Sequence, residues 1–157
     1  MPADVTRVDI DLETDLAELY ALEQRVVAAT PAVLDTHSTD GFLAFLNAAG
    51  PVTVEGWRGP RGQLVGYLAV SGAGAVLELR SVAVDPSFQR RGLGRTIVRR
   101  AVELARLRGA ARLELATAPG NEAARALYAG EGFAAVRLST DHYGDGTDRL
   151  ILAIEHP

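Results

Sequence analysis

Six consecutive residues offer the first chemistry: Gln89-Arg90-Arg91-Gly92-Leu93-Gly94. They follow an apolar run, Val76 to Val84, which Asp85-Pro86 stops. They precede Ile97, Val98, Ala101, Leu104 and Ala105, which recur at helical spacing. A strand, a glycine-containing loop and a helix in succession form a cradle for phosphate. Glycine lets the backbone approach an anion with no Cβ in the way. The free N–H groups of the first helical turn point at that anion, with the helix dipole behind them. Arg90, Arg91 and Arg95 stand where they could add positive charge. Glu78 is a second candidate. It is a carboxylate inside an apolar run, and an unpaired charge there would be costly to bury. Either it faces solvent on an alternating strand, or it pairs with Arg80 or Arg112, or it has chemical work to do.

The spacing excludes the commonest phosphate loops. A dinucleotide fingerprint G-x-G-x-x-G lacks its third glycine, because Ile97 stands there. A triphosphate P-loop needs G-x-x-x-x-G-K-[ST], and all 16 basic residues of this chain are arginine. The absence of cysteine removes any disulfide framework, thiolate metal site or cysteine nucleophile. The three histidines, His37, His142 and His156, have no metal-ligand spacing, so no metal is expected. The net charge of −4 argues against a general nucleic-acid binder but leaves room for a local basic patch around Arg90–Arg100. With 157 residues, one compact domain spanning 1–157 is expected. Met1–Ile10 has no secretory pattern, and no apolar stretch is long enough to span a bilayer. The expectation is a cytoplasmic protein without membrane partners.

The elements that must position this loop read as follows. Val5–Ile10 forms a first strand. Leu12, Leu16, Leu19, Glu23 and Val26 share one face of a helix over Thr14–Ala29, capped by Thr14 or Asp15 and ended by Pro31. A short helix starts near Gly41 and stops at Gly50-Pro51. Val52–Arg58, Gln63–Ser71 and Val76–Val84 form an antiparallel meander with turn residues between them. Gly109 stops the long helix. Ala111–Thr117 is then a strand parallel to Val76–Val84, as a right-handed βαβ unit requires. Asn121 caps a helix to Ala129, and Phe133–Ser139 and Thr147–Ile154 close the chain.

Several of these segments carry a common resemblance. Val82-Ala83-Val84-Asp85-Pro86, the loop Gln89–Gly94, Asn121-Glu122-Ala123-Ala124-Arg125-Ala126-Leu127-Tyr128 and Gly130-Glu131-Gly132-Phe133 occur in order. They resemble the GNAT acetyltransferase superfamily pattern of strand, Q/R-x-x-G-x-G/A loop, helix, strand and N-x-x-A-x-x-L-Y-x-x-x-G-F. The resemblance is tight over Leu77–Phe133. It implies an α/β (α+β) fold with a mixed, mostly antiparallel sheet of six to seven strands, about four flanking helices and a strand splay at the cofactor cleft.

The activity implied is direct attack of an amine on the thioester of acetyl-CoA, with no covalent enzyme intermediate. By resemblance, the amides of Arg91, Gly92, Leu93, Gly94 and Arg95, with Gln89, Arg90 and the Thr96 hydroxyl, hold the diphosphate. The backbone of Val82, Ala83 and Val84, with Asn121, holds the pantetheine arm, and the Val82 N–H meets the thioester oxygen. Tyr128 matches the general acid at the sulfur. Glu78 occupies the place where several members hold a base, and a water route is the alternative.

The ending from Tyr143 to Leu150 resembles the branch that acetylates protein N-termini, except that Arg149 replaces the usual alanine. Tyr143 is then expected to line the acceptor channel, with Glu55, Trp57, Asp141 and Asp145 as candidates to attract a cation. The expected partners are a small-molecule amine or a peptide N-terminus, with a second copy of the chain in a homodimer. A non-catalytic acetyl-CoA-binding sensor or interaction module of the same fold is the alternative.

Overall fold

The computed structural model describes residues 3–30 and 35–157. A first strand, β1 (Thr6–Asp9), leads into α1 (Leu12–Ala29) and α2 (Thr39–Asn47). The meander follows as β2 (Val52–Arg58), β3 (Leu64–Ser71) and β4 (Val76–Val84). Then come α3 (Leu93–Leu107), β5 (Arg112–Thr117), α4 (Glu122–Gly130), β6 (Ala134–Ser139) and β7 (Arg149–Glu155). The strands form one seven-stranded sheet in the order β1-β2-β3-β4-β5-β7-β6. Every neighbouring pair is antiparallel except β4 and β5, so the sheet is mixed as expected.

The cap of α1 differs from expectation. Asp11 rather than Thr14 or Asp15 accepts the Glu13 N–H, and Asp15 reaches back to accept the Asp11 N–H at 2.9 Å. This reciprocal arrangement satisfies the open helix end and starts the helix two residues earlier, at Leu12. The expected stop at Pro31 lies outside the described residues. Ser38 caps α2 by accepting the Gly41 N–H at 2.9 Å.

Helices cover both sheet faces and divide the core. On one face α3 buries Leu93, Ile97, Val98, Ala101, Leu104 and Ala105 against Val65, Leu68, Leu77 and Leu79 of the sheet. On the other, Leu19, Leu22 and Val26 of α1 and Phe42 and Leu46 of α2 pack on Val54, Tyr67, Ala69 and Ala83. Strand β3 is buried along its whole length because its alternating side chains enter both clusters. Each Leu or Ile taken fully from water contributes about 1.5–3 kcal/mol. Gly66 lets α3 sit this close, since a Cβ there would lie 2.8 Å from Ile97 Cδ1.

Two features of β4 shape the site. The register against β3 shifts between Ala69 and Val70, leaving Arg80 as an extra residue between the partnered Leu79 and Ser81. Such a bulge bends a strand and sharpens its twist. Pairing with β5 then covers only Val76 to Glu78, although β4 continues to Val84 and β5 to Thr117. The two strands splay apart over their C-terminal halves, as expected.

Candidate active site

The splay leaves backbone groups of β4 exposed along one edge. The Asp85 N–H donates to the Val65 carbonyl at 2.8 Å, toward β3. Alternation along the strand therefore turns the N–H and C=O groups of Val84 and Val82 toward the gap beside β5. The Val84 carbonyl accepts the Gln89 side-chain amide at 3.1 Å, which ties the loop to the strand end. The Asp85 side chain accepts the Ser87 N–H and hydroxyl and meets Arg25 of α1 at 2.8 Å, fixing the turn.

The loop then enters α3 without a side-chain cap. Gly92 is left-handed at φ 82°, and Arg90 is also left-handed at φ 62°, a region that a side chain seldom occupies. The Thr96 N–H is the first to bond back within the helix, to the Gly92 carbonyl. The amides of Leu93, Gly94 and Arg95 are the orphan donors of the helix start. They lie at the positive end of the α3 dipole.

A cavity of about 650 Å³ joins these parts. Val82, Ala83 and Val84 form its β4 wall, and Gln89, Arg90, Gly92, Gly94 and Arg95 form its loop and helix wall. Asn121, Leu127 and Tyr128 close it from α4. Three expected cofactor residues do not line it. Leu93 is buried in the core at 1% exposure, so only its backbone is available. The Arg91 guanidinium stacks 4.9 Å above the Phe88 ring. The Thr96 hydroxyl donates to the Gly92 carbonyl at 3.1 Å. Arg95 also meets Glu131 at 3.4 Å, linking the start of α3 to the end of α4. Asn121 accepts the Ala124 N–H at 3.2 Å as a helix cap and also lines the cavity.

A second cavity, of about 140 Å³, meets the first at Val82, Asn121, Ala124 and Tyr128, which line both. Phe42 and Phe45 of α2, Tyr143 and Arg149 form its far wall. Tyr143 stands edge-on to Phe45 at 5.5 Å, with the Arg80 guanidinium 4.0 Å above the Phe45 ring. Burial raises the Tyr143 hydroxyl above its ordinary pKa, and burial followed by the field of Tyr143 pushes Tyr128 up to about 12. Thr36 Oγ1, a buried hydroxyl in this wall, has no hydrogen-bond partner among the described residues.

Glu78 falls outside both joined cavities. Its carboxylate accepts Arg80 Nη1 at 2.9 Å and lines a separate small void with Glu114 and His142. The reason is its register: Glu78 stands opposite Glu114, in the last paired position before the strands part. Glu55 and Trp57 do not line the second cavity either. Glu55 is 5% exposed beneath α3, where Arg100 grips both its oxygens at 2.8 and 3.0 Å, and Trp57 is 1% exposed. Sequence reasoning missed Glu23 instead. It is 6% exposed on α1 and lines the second cavity. Its signal was a carboxylate on the apolar Leu12–Val26 face. Among the described residues no group of three His, Cys, Asp or Glu is placed to hold a metal ion, and no helix is long and apolar enough to cross a membrane.

Comparison with known proteins gives the class of this architecture. The crystal structure of the ribosomal-protein-S18-alanine N-acetyltransferase from Escherichia coli superposes with a TM-score of 0.79 at 28% identity, covering 96% of this chain and 93% of that one. An acetyltransferase structure from Salmonella typhimurium with acetyl-CoA bound shares the fold, with a TM-score of 0.76 at 22% identity over 99% and 95% of the two chains.

The sequence model of the Acetyltransferase (GNAT) family matches residues 15–133, and the chain belongs to that family. The N-alpha-acetyltransferase RimI of Mycobacterium tuberculosis is 40% identical over 86 residues, covering 52% of each chain, so the match spans about half the length of that relative. The thialysine N-epsilon-acetyltransferase of Caenorhabditis elegans is 31% identical over 123 residues, 76% of this chain and 71% of that one.

Proposed function

We propose that this chain is an acetyl-CoA-dependent N-acetyltransferase acting on a primary amine within a ternary complex. The observation that carries the reading is the β4–β5 splay beside the uncapped start of α3, opening into a second cavity at Tyr128. The residues present fit the cofactor. The orphan amides of α3, with Arg90 and Arg95, suit a diphosphate, and the free edge of Val82 and Val84 suits an extended amide arm. When bound, acetyl-CoA supplies an acetyl group already activated as a thioester.

The chain's own residues then orient and polarise. The Val82 N–H, on the open edge, is the donor for the carbonyl oxygen, where added negative charge is stabilised in the transition state. Asn121, which lines the cleft and caps α4 through its oxygen, has side-chain N–H₂ donors to offer the amide arm. Tyr128, protonated throughout the physiological range, donates a hydrogen bond to the sulfur as it leaves.

The acceptor is the amine of a peptide N-terminus in the reading the relatives favour. The two relatives that cover RimI-type chemistry are named for N-alpha and ribosomal-protein alanine acetylation. The aromatic wall of Phe45 and Tyr143 gives a small first side chain an apolar rest. A small-molecule amine is the competing acceptor, as the thialysine relative illustrates.

Thiol release from acetyl-CoA, measured over peptides beginning with alanine, serine or glycine and a set of small amines, tests the proposal. Release that depends on a peptide α-amine supports it. Coenzyme A binding with no amine-dependent release from any acceptor would leave only a binding module.

A further inference from the structure

Glu23 is a deeply buried carboxylate that the roles above leave unused. It reaches the acceptor cavity from α1, a helix whose other buried residues, Leu19, Leu22 and Val26, are apolar. The Tyr67 hydroxyl donates to Glu23 Oε2 at 2.5 Å. With its hydrogen so committed, the Tyr67 oxygen accepts from Ser81 Oγ at 2.6 Å. Ser81 also lines the acceptor cavity and immediately precedes Val82, whose backbone edge faces the thioester position. Three oxygens from α1, β3 and β4 thus form a continuous chain that joins two points of the cavity wall, Ser81 and Glu23, through the buried Tyr67.

We propose that Ser81, Tyr67 and Glu23 form the proton relay that takes the proton from the acceptor ammonium. This rests on the acetyltransferase reading and names its proton acceptor, the task the sequence suggested for Glu78. Glu78 is tied to Arg80 and lines another void. Glu23 lines the cavity and, among the described residues, has no cationic partner in its hydrogen-bond chain.

The protons balance as follows. The ammonium gives one proton to Ser81 Oγ as Ser81 passes its own to Tyr67 and Tyr67 passes its own to the Glu23 carboxylate. The freed lone pair forms the C–N bond as the C–S bond breaks. The second proton shed by nitrogen becomes the thiol hydrogen of coenzyme A. Glu23 returns its proton to water when the products leave, and the two hydroxyls reverse their hydrogen bonds.

The charged and titratable groups around Glu23 favour this role. Burial raises its pKa above the ordinary glutamate range. The Tyr67 hydrogen bond opposes that rise, and the nearby Asp35 adds to it. Tyr67 itself is pushed up by burial and by Glu23, so it relays protons without ionising. Tyr128 from α4 and Tyr143 are neutral, and the Arg80 and Arg149 guanidiniums stand on the far wall with Tyr143. A base of this kind holds its proton nearer neutrality than a surface carboxylate does, which suits an amine substrate.

Two measurements test the relay. Infrared difference spectra of wild type and Glu23→Gln across a pH titration isolate the Glu23 carboxyl stretch without any substrate. The relay requires that this band titrate above the surface carboxylates. A Glu23 that ionises together with them overturns it, whether or not any amine is turned over.

With acetyl-CoA and a peptide beginning with alanine, or the best amine found for the wild type, Glu23→Gln and Tyr67→Phe should each lower kcat by about 100-fold or more. The acidic limb of the wild-type pH profile should coincide with the infrared titration and be lost in Glu23→Gln. The calorimetric Kd for coenzyme A should be unchanged. An unmoved limb, or a loss that appears only as weaker coenzyme A binding or a lower melting temperature, assigns Glu23 a structural role and overturns the relay. Ser81→Ala, which removes only a small hydroxyl, repeats the kinetic test if the Glu23 variant fails to fold. Failure of wild type to bind coenzyme A refutes the acetyltransferase reading separately, through the calorimetry alone.

Discussion

Replacing Tyr128 by phenylalanine distinguishes a hydrogen-bond donor from a full proton donor. The ring stands edge-on to Phe133 at 5.8 Å and lines both cavities, so the variant keeps the packing and loses only the hydroxyl. That hydroxyl titrates at about 12. A thiol at its reference value of about 8.5 is the stronger acid by roughly 3.5 units. Complete transfer from Tyr128 to a free thiolate is therefore uphill by at most about 5 kcal/mol. Donation of a hydrogen bond to charge growing on sulfur carries no such penalty and contributes about 1.5–3 kcal/mol. Tyr128→Phe should then lower kcat about 10- to 150-fold, with the KM for acetyl-CoA unchanged. Steady-state thiol release at saturating acceptor reads both constants. A loss above about 1,000-fold would show that Tyr128 transfers its proton fully, and an unchanged kcat would remove it from the chemistry.

Other consequences follow from packing and charge. Gly66→Val places carbon against Ile97 Cδ1, 2.8 Å from a Cβ at that position, so overpacking should cost about 1–3 kcal/mol in urea unfolding while the loop that binds coenzyme A survives. Among the described residues, Arg100→Met leaves the buried Glu55 with only the more distant Arg7, at 3.8 Å, as a cationic partner. A loss near about 3 kcal/mol is expected, or roughly 6–12 °C in melting temperature, with coenzyme A affinity retained. At Asp85, burial raises the pKa, but the Ser87 hydroxyl, the Ser87 N–H and Arg25 together hold it below the ordinary range. A depressed carboxylate stabilises the fold above its unfolded value of about 3.9, and that contribution disappears as the pH falls through the folded value. Asp85→Asn should therefore be less stable at neutral pH, by no more than about 1 kcal/mol, and less sensitive to acid in urea titrations between pH 7 and 3.

The strand, loop and helix at Gln89–Gly94 were legible in the sequence because period, glycine placement and orphan amides are local properties. The parallel β4–β5 pair followed from chain handedness. The bounds of β2 and β4 were read correctly, but the alternation of β2 concealed that both its faces are covered. Glu55, a candidate in the sequence to attract a cation, is instead half of a buried pair with Arg100, 45 residues away. The α1 cap differs from expectation because Asp11, three residues before the expected start at Thr14, takes the capping position. Tertiary partners decided the site acids as well. Glu78 is ion-paired with Arg80 on its own strand, whereas Glu23 meets Tyr67 across 44 residues of sequence. A carboxylate on an otherwise apolar helix face was the one local sign of this, and its meaning depended on which strand it would face.

The proposed activity requires one physical arrangement, in which amides at the start of α3 hold a diphosphate while the edge of β4 aligns the arm that carries the thioester. Amide chemical shifts of isotopically labelled protein, followed as coenzyme A is added, test it most directly. The largest changes should fall on Gly92, Leu93, Gly94 and Arg95 together with Val82 and Val84, with little change along β1, β2 or β6. Saturable binding that leaves those six amides unmoved would contradict it.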